Sequence, residues 1–311
     1  MLTSFFGTAK PINFVLILLY MTLVFLAVCG PLWWQDPGLG QTMTLLFYLV
    51  MYLLSLVVLD FIAKKNKLTK KNSFNIVSYC GLTGALAPAL LEYQALVALV
   101  FIGLALRRII TMKSGLDLYK KVFDASLWIG MATLFEPGCI FYFLLLFIGI
   151  SMHGNGNYRL WLIPFMGVIT ISILALTGAV MDLWTLSLDG LSSLTPAFNF
   201  DFIQATEIQG MLIILGLLSA LAILRYFKVI RERVIRQDRP NNYLVLWAVL
   251  VGLIAMIFQP ENKLIHLYFV FAPLAMIIAK YLRTNKKKWI TEFWLWLLLL
   301  APLSAVIFMQ A

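Results

Sequence analysis

Residues 41–71 read QTMTLLFYLVMYLLSLVVLDFIAKKNKLTKK. The run 41–63 carries one charge, Asp60, and then gives way to five lysines between Lys64 and Lys71. A bilayer's hydrocarbon core takes about 20 helical residues to cross, so this run predicts a membrane-spanning helix. Cytoplasmic loops of helical membrane proteins retain Lys and Arg, so its basic end predicts a cytoplasmic loop.

The same pattern recurs along the chain. Basic breaks follow at Arg107 to Lys121, Arg225 to Arg239 and Arg283 to Lys288, with acidic breaks between them. Threaded once through a membrane, 23 of the 24 Lys and Arg residues fall on one side, and Lys263 alone falls on the other. The expected localisation is therefore a bacterial cytoplasmic (inner) membrane, multi-pass, with the N-terminus inside. Length alone marks eleven candidate spans: 11–33, 41–63, 74–91, 94–112, 122–136, 138–153, 160–181, 208–227, 242–259, 264–282 and 289–310. Eleven crossings leave the C-terminus external. The candidates 74–91, 122–136 and 138–153 are the short ones. Pro88 and Pro137 are expected to kink or end their helices, because proline lacks an N–H and clashes with the preceding turn.

Composition agrees with a membrane domain. Hydrophobic residues make up 62% of the chain, charged residues 12%, and mean hydropathy is +0.93. A soluble domain has about a quarter of its residues charged. The expected fold class is all-α, a polytopic transmembrane helical bundle forming a single integral membrane domain over residues 1–311. The net charge of +10 sits in loops flanking spans. It fits orientation and contact with the lipid bilayer, and no nucleic-acid partner is expected. The break 182–207 holds Trp184, Leu186, Leu188 and Leu191 but no Lys or Arg. It predicts an external amphipathic segment lying in the headgroup region. Trp33, Trp34, Trp161, Trp184 and Trp289 fall near span ends, as interfacial anchors do.

Cys29, Cys80 and Cys139 lie in apolar runs without a CxxC pair, so neither a disulfide framework nor a zinc site is expected. His153 and His266 fall on opposite sides of the predicted membrane, so neither a histidine-based catalytic couple nor a two-histidine metal site is expected. No metal motif is present. A divalent metal remains compatible with the acids but is indicated by no spacing, and the cofactor is unknown. Asp60, Asp124 and Glu292 lie at the basic side. They are read as an interfacial acid, a helix-start carboxylate and a partner of Lys286 to Lys288, respectively.

The informative residues are acids on the other side. Asp36, Glu92, Glu136 and Glu261 each stand where an outward-going helix ends. Ionisable groups near membrane depth usually face a protein interior or an aqueous cavity. Lys263 adjoins Glu261 and precedes His266. As a point charge it can neutralise a phosphate or pair with that acid.

Together these features resemble the multi-pass glycosyltransferases of the GT-C class. The resemblance rests on Asp36 after the first span, the short external turns, the long break 182–207, and the stretch Glu261 to Ala275. It implies a GT-C-like arrangement and a polyprenyl-phosphate-linked sugar as partner. It also implies Asp36 as catalytic base or metal ligand and Lys263 as phosphate contact, with Glu261, Glu92, Glu136 and His266 lining the substrate cavity. The first external loop, Pro31 to Gly40, departs from that class in being short and carrying one acid. The chain is also similar to a set of uncharacterised bacterial multi-pass proteins. Two other function classes stay open: a non-catalytic membrane subunit of an envelope or secretion assembly, with other envelope membrane proteins as partners, and a transporter.

Overall fold

A computed structural model describes residues 1–35, 38–69, 72–92, 95–154, 156–181, 206–259, 264–285 and 287–310. Every regular element among them is helical. In chain order these are α1 (Leu2–Phe6), α2 (Pro11–Gln35), α3 (Leu39–Lys65), α4 (Phe74–Ala85), α5 (Ala95–Thr111) and α6 (Leu118–Phe135). They are followed by α7 (Tyr142–His153), α8 (Ile163–Val180), α9 (Thr206–Arg233), α10 (Arg239–Ile257), α11 (Tyr268–Thr284) and α12 (Lys288–Gln310).

Among the described residues, eight helical segments are long and apolar enough to cross a membrane. The three remaining candidates are those the sequence marks as short. Helix α4 has 12 residues, about 18 Å at 1.5 Å per residue, against a hydrocarbon core of about 30 Å. Helix α6 gathers Lys120, Lys121 and Asp124 near its start. Residues 137–153 form a shorter apolar helical segment.

The long helices are apolar all round, so burial, not composition, distinguishes their faces. In α2, Ile12, Val15, Leu16, Leu19, Leu23 and Leu26 are exposed at helical spacing, while Ile17, Met21, Val24, Phe25 and Val28 are buried on the opposite side. Helix α9 repeats this, with Ile213, Leu217, Leu221 and Leu224 outward and Leu215, Leu218, Ala222 and Tyr226 inward. Such continuous exposed apolar stripes are compatible with lipid and not with water. The protein is a multi-pass membrane protein in contact with the bilayer.

Helix α4 is the centre of the bundle. All of its residues from Phe74 to Ala85 are buried, and it packs on α11, α12, α2 and α3. Thr83 and Tyr79 find partners within the protein, as polar groups at membrane depth require, while the side chains of Asn75 and Ser78 are buried without a hydrogen-bond partner among the described residues. Thr83 Oγ1 pairs with Tyr52 Oη at 2.8 Å, and Tyr79 Oη pairs with Ser55 Oγ at 2.8 Å. The Tyr268 hydroxyl donates to the carbonyl oxygens of Thr83 at 2.7 Å and Leu86 at 3.2 Å. Around this centre α5 packs on α3 and α6, α6 on α8, and α10 on α7 and α11.

The prolines act where the sequence places them. Helix α4 ends at Ala85, and a 3-10 turn over Ala87–Glu92 carries Pro88. Helix α6 ends at Phe135, and Pro137 opens a 3-10 turn over Pro137–Phe141.

Several expectations need correction. The first acidic break is not a loop of about ten residues, because α2 continues through Pro31 to Gln35 and α3 begins at Leu39. Proline late in a helix removes only one internal bond, and Trp33 Nε1–H closes the hairpin by donating to Thr42 Oγ1 at 2.8 Å. Asp124 is not at the start of its helix. It lies a further turn inside α6 and pairs with Arg108 at 2.7 Å. The expected partners of Glu292 are Lys286 to Lys288; Lys286 lies outside the described residues, and neither Lys287 nor Lys288 pairs with it among the described ones. Glu292 accepts from the amino group of Met1 at 2.5 Å, the backbone N–H groups of Leu2 and Thr3, and the Thr3 hydroxyl. A carboxylate there satisfies orphan donors at the start of α1. The amphipathic segment expected at 182–207 lies outside the described residues up to residue 205, and α9 begins at Thr206.

Basic breaks are tied to one another at one end of the bundle. Lys113 pairs with Asp238, Arg225 Nη2 donates to the Thr284 carbonyl, and His153 Nε2 lies 3.0 Å from Asn241 Oδ1. Asp60 also belongs to this end, 2.6 Å from Lys64.

Candidate functional site

At the opposite end lie three 3-10 turns: Ala87–Glu92 after α4, Pro137–Phe141 after α6 and Leu264–Leu267 before α11. The turn 264–267 packs on the turn 87–92 and on α10, and the turn 137–141 packs on α6 and α10. Residues from three distant parts of the chain thereby meet at one depth.

Glu136 is placed by its neighbour. A residue before proline is pushed out of the helical region, and Glu136 adopts an extended conformation at φ −135° and ψ 103°. Its N–H still closes α6 by donating to the Ala132 carbonyl at 2.9 Å, while its own carbonyl accepts from Cys139 N–H at 3.0 Å. The side chain leaves the helix axis at the point where the chain turns. His266 is placed by its turn. The turn opens α11, and the imidazole stacks on Phe269 in the first turn of that helix at 8° between planes and 6.2 Å between centroids.

The result is a carboxylate–imidazole pair. His266 Nε2 lies 3.1 Å from Glu136 Oε2, with the side chains 3% and 16% exposed. Both groups are largely removed from water, and the acid keeps one edge accessible. A histidine held by a carboxylate has a fixed ring orientation, and the pair can take up or release one proton. Glu92 ends the turn that packs beside His266.

Gln259 supports the turn bearing Glu136. It is fully buried, and its Oε1 accepts from the backbone N–H of Gly138 at 3.2 Å. A Cβ on Gly138 would collide with the Ala255 carbonyl oxygen and come within 3.0 Å of the Gln259 amide. Only glycine lets the turn lie against α10 this closely. Tyr142, beyond the turn, donates its hydroxyl to the Phe269 carbonyl at 3.2 Å, joining α7 to α11.

The predicted set divides accordingly. Glu136 and His266 come together, and Glu92 lies on the adjoining turn. Asp36, Glu261 and Lys263 lie outside the described residues. Gln259 and Gly138 were not singled out for the site. A buried amide at the end of an apolar helix and a glycine after Glu136-Pro137 are the signals that point to them. Among the described residues, no three His, Cys, Asp or Glu side chains cluster as metal ligands.

No curated protein and no solved structure matches the chain. A family model does, across residues 8–310. The chain belongs to that family, a family of unknown function (DUF6427).

Proposed function

We propose that the protein acts at the acidic face of a bacterial cytoplasmic membrane on a lipid-linked, phosphate-bearing substrate, as a GT-C-like glycosyltransferase using a polyprenyl-phosphate sugar. The observation carrying this reading is the pairing of Glu136 with His266 at 3.1 Å, where three turns converge. In this reading the basic end is cytoplasmic and the N-terminus inside, as positive charge retention favours. The three short segments, 74–92, 118–135 and 137–153, complete eleven crossings, and the C-terminus is external.

The transfer needs a base for the acceptor hydroxyl and a cation for the departing phosphate. Glu136 accepts the acceptor's proton, and His266 orients the carboxylate. Lys263, three residues before His266, meets the phosphate, while Glu92 and Glu261 line the approach. Asp36, which the GT-C resemblance implies as base or metal ligand, is the second carboxylate of this reading. The test uses the full chain in nanodiscs with undecaprenyl-phosphate-linked sugar. Binding or donor consumption should fall at least tenfold in Glu136→Gln and in Lys263→Ala, the loss of about one charge-assisted hydrogen bond. Unchanged binding and consumption in both variants would remove the reading.

A second reading is a non-catalytic membrane subunit. It is favoured by the 3% exposure of the His266 side chain, which suits a clamp between turns better than a group exchanging protons with substrate. It predicts co-purification with a stable membrane partner and a phenotype indifferent to Glu136→Gln.

A further inference from the structure

A separate cavity of ≈ 320 Å³ opens at the basic end, far from the acidic turns in the fold. Its walls come from the segment after α3, the end of α9, the start of α10 and the end of α11. Among the described residues, three cations line it, Lys67, Lys280 and Arg283, with one carboxylate, Asp238. That carboxylate is already engaged by Lys113.

Lys280 is the informative cation. It is half-buried, and its ammonium group donates to Asn242 Oδ1 at 2.5 Å and lies 5.1 Å from the centre of the Tyr226 ring. Both partners are neutral. Asn242 cannot turn away, because its Oδ1 also accepts from the Tyr226 hydroxyl at 3.0 Å and its Nδ2 donates to the Asp238 carbonyl at 2.7 Å. Among the described residues Lys280 makes no salt bridge. Asp238, on the same cavity wall, acts on Lys280 only through space and is itself held by Lys113. A half-buried cation without a contacting carboxylate gains from an anion beside it.

Two residues of the opposite wall, Asn72 and Thr69, carry polar groups sealed behind its surface. Asn72 is 1% exposed, and its Oδ1 accepts from Phe74 N–H at 3.1 Å, leaving Nδ2 without a partner among the described residues. Thr69, 7% exposed, has a hydroxyl without a partner among the described residues. Lys67 occupies the left-handed region at φ +54°, a conformation rarely taken by lysine and one that fixes the lining segment. Two unsatisfied buried side chains that can donate and three cations, around a space of this size, are the requirements of an oxyanion.

We infer that this cavity binds a phosphate group, either the headgroup of an anionic phospholipid or a soluble phosphoester, with Lys280 and Arg283 as counter-charges and Asn72 and Thr69 as hydrogen-bond donors. The site is independent of the acidic-end reading.

The full chain is placed in nanodiscs for two arms. In the first, phosphatidylcholine discs are titrated with inorganic phosphate and with pyrophosphate by calorimetry. In the second, discs containing phosphatidylglycerol are analysed by native mass spectrometry for retained lipid. Binding in either arm, weakened on the order of tenfold by Lys280→Met and by Asn72→Asp, supports the site and identifies its source. Asn72→Asp keeps the acceptor for Phe74 N–H while replacing a donor by a negative charge. Arg283→Gln, at an exposed position, provides a further variant if Lys280→Met does not fold. Lys120→Met is the control, since Lys120 is 81% exposed at the same end and does not line the cavity. No binding of any probe, or an equal loss in Lys120→Met, overturns the proposal.

Discussion

A Cβ placed on Gly81 of α4 would stand 2.6 Å from the carbonyl oxygen of Leu298 and 2.7 Å from its Cβ. Helices α4 and α12 therefore approach backbone to backbone, as small residues permit in membrane bundles. Gly81→Ala forces them apart at the centre of the fold. The expected cost is about 1–3 kcal/mol, the range for overpacking a filled core. Gly40→Ala, with nothing within 4 Å of the added atom, should leave thermal unfolding in nanodiscs unchanged. Equal melting of the two variants would contradict the packing.

His266→Ala leaves the Glu136 carboxylate without its imidazole partner in a site that is mostly dry. Stability should drop by on the order of 2 kcal/mol. Glu136→Gln should cost less, because the amide can still bond the ring. Comparing both melting temperatures separates a pair that matters for stability from one that matters for reaction.

Tyr268→Phe removes the hydroxyl that serves the carbonyls of Thr83 and Leu86. Both lie where no water reaches, so the loss should be about 1–3 kcal/mol. Hydrogen exchange at the end of α4 should rise in this variant. Exchange that stays at the wild-type level would place the support of that helix end elsewhere.

Glu292→Ala frees the start of α1 from α12. The cost should resemble that of a lost helix cap, about 1 kcal/mol. Limited proteolysis near Thr3 should accelerate while the rest of the chain remains resistant.

Orientation is open to direct labelling. The native cysteines, Cys29, Cys80 and Cys139, are buried, so their background should be low. A cysteine at Val180, 84% exposed at the end of α8, should react with an impermeant maleimide in intact cells. One at Leu116, 70% exposed at the basic end, should react only after lysis. The reverse pattern inverts the proposed topology.

The long helices were legible because length and hydropathy are local properties. The run 41–63 lies within α3, and Pro137 ends α6 where proline geometry requires. Partners were less legible. Glu292 has three lysines nearby in sequence, yet it binds the N-terminal turn from the other end of the chain. Asp124 reads as a helix-start acid, but α6 begins a full turn earlier and Arg108 on α5 supplies its counter-charge. Four acids share one side in the sequence, but nothing local says that Glu136 meets His266, 130 residues away.

Charge segregation and apolar run lengths by themselves determined an all-helical membrane protein with a basic and an acidic end, because lipid demands internal backbone bonding whatever the contacts. Only the tertiary structure decided that the short helix α4 lies at the centre, that Glu136 meets His266, and that Lys280 faces a cavity without a carboxylate in salt-bridge contact. Those outcomes depend on which helix faces pack together. In a chain apolar on every side, hydropathy does not distinguish the faces.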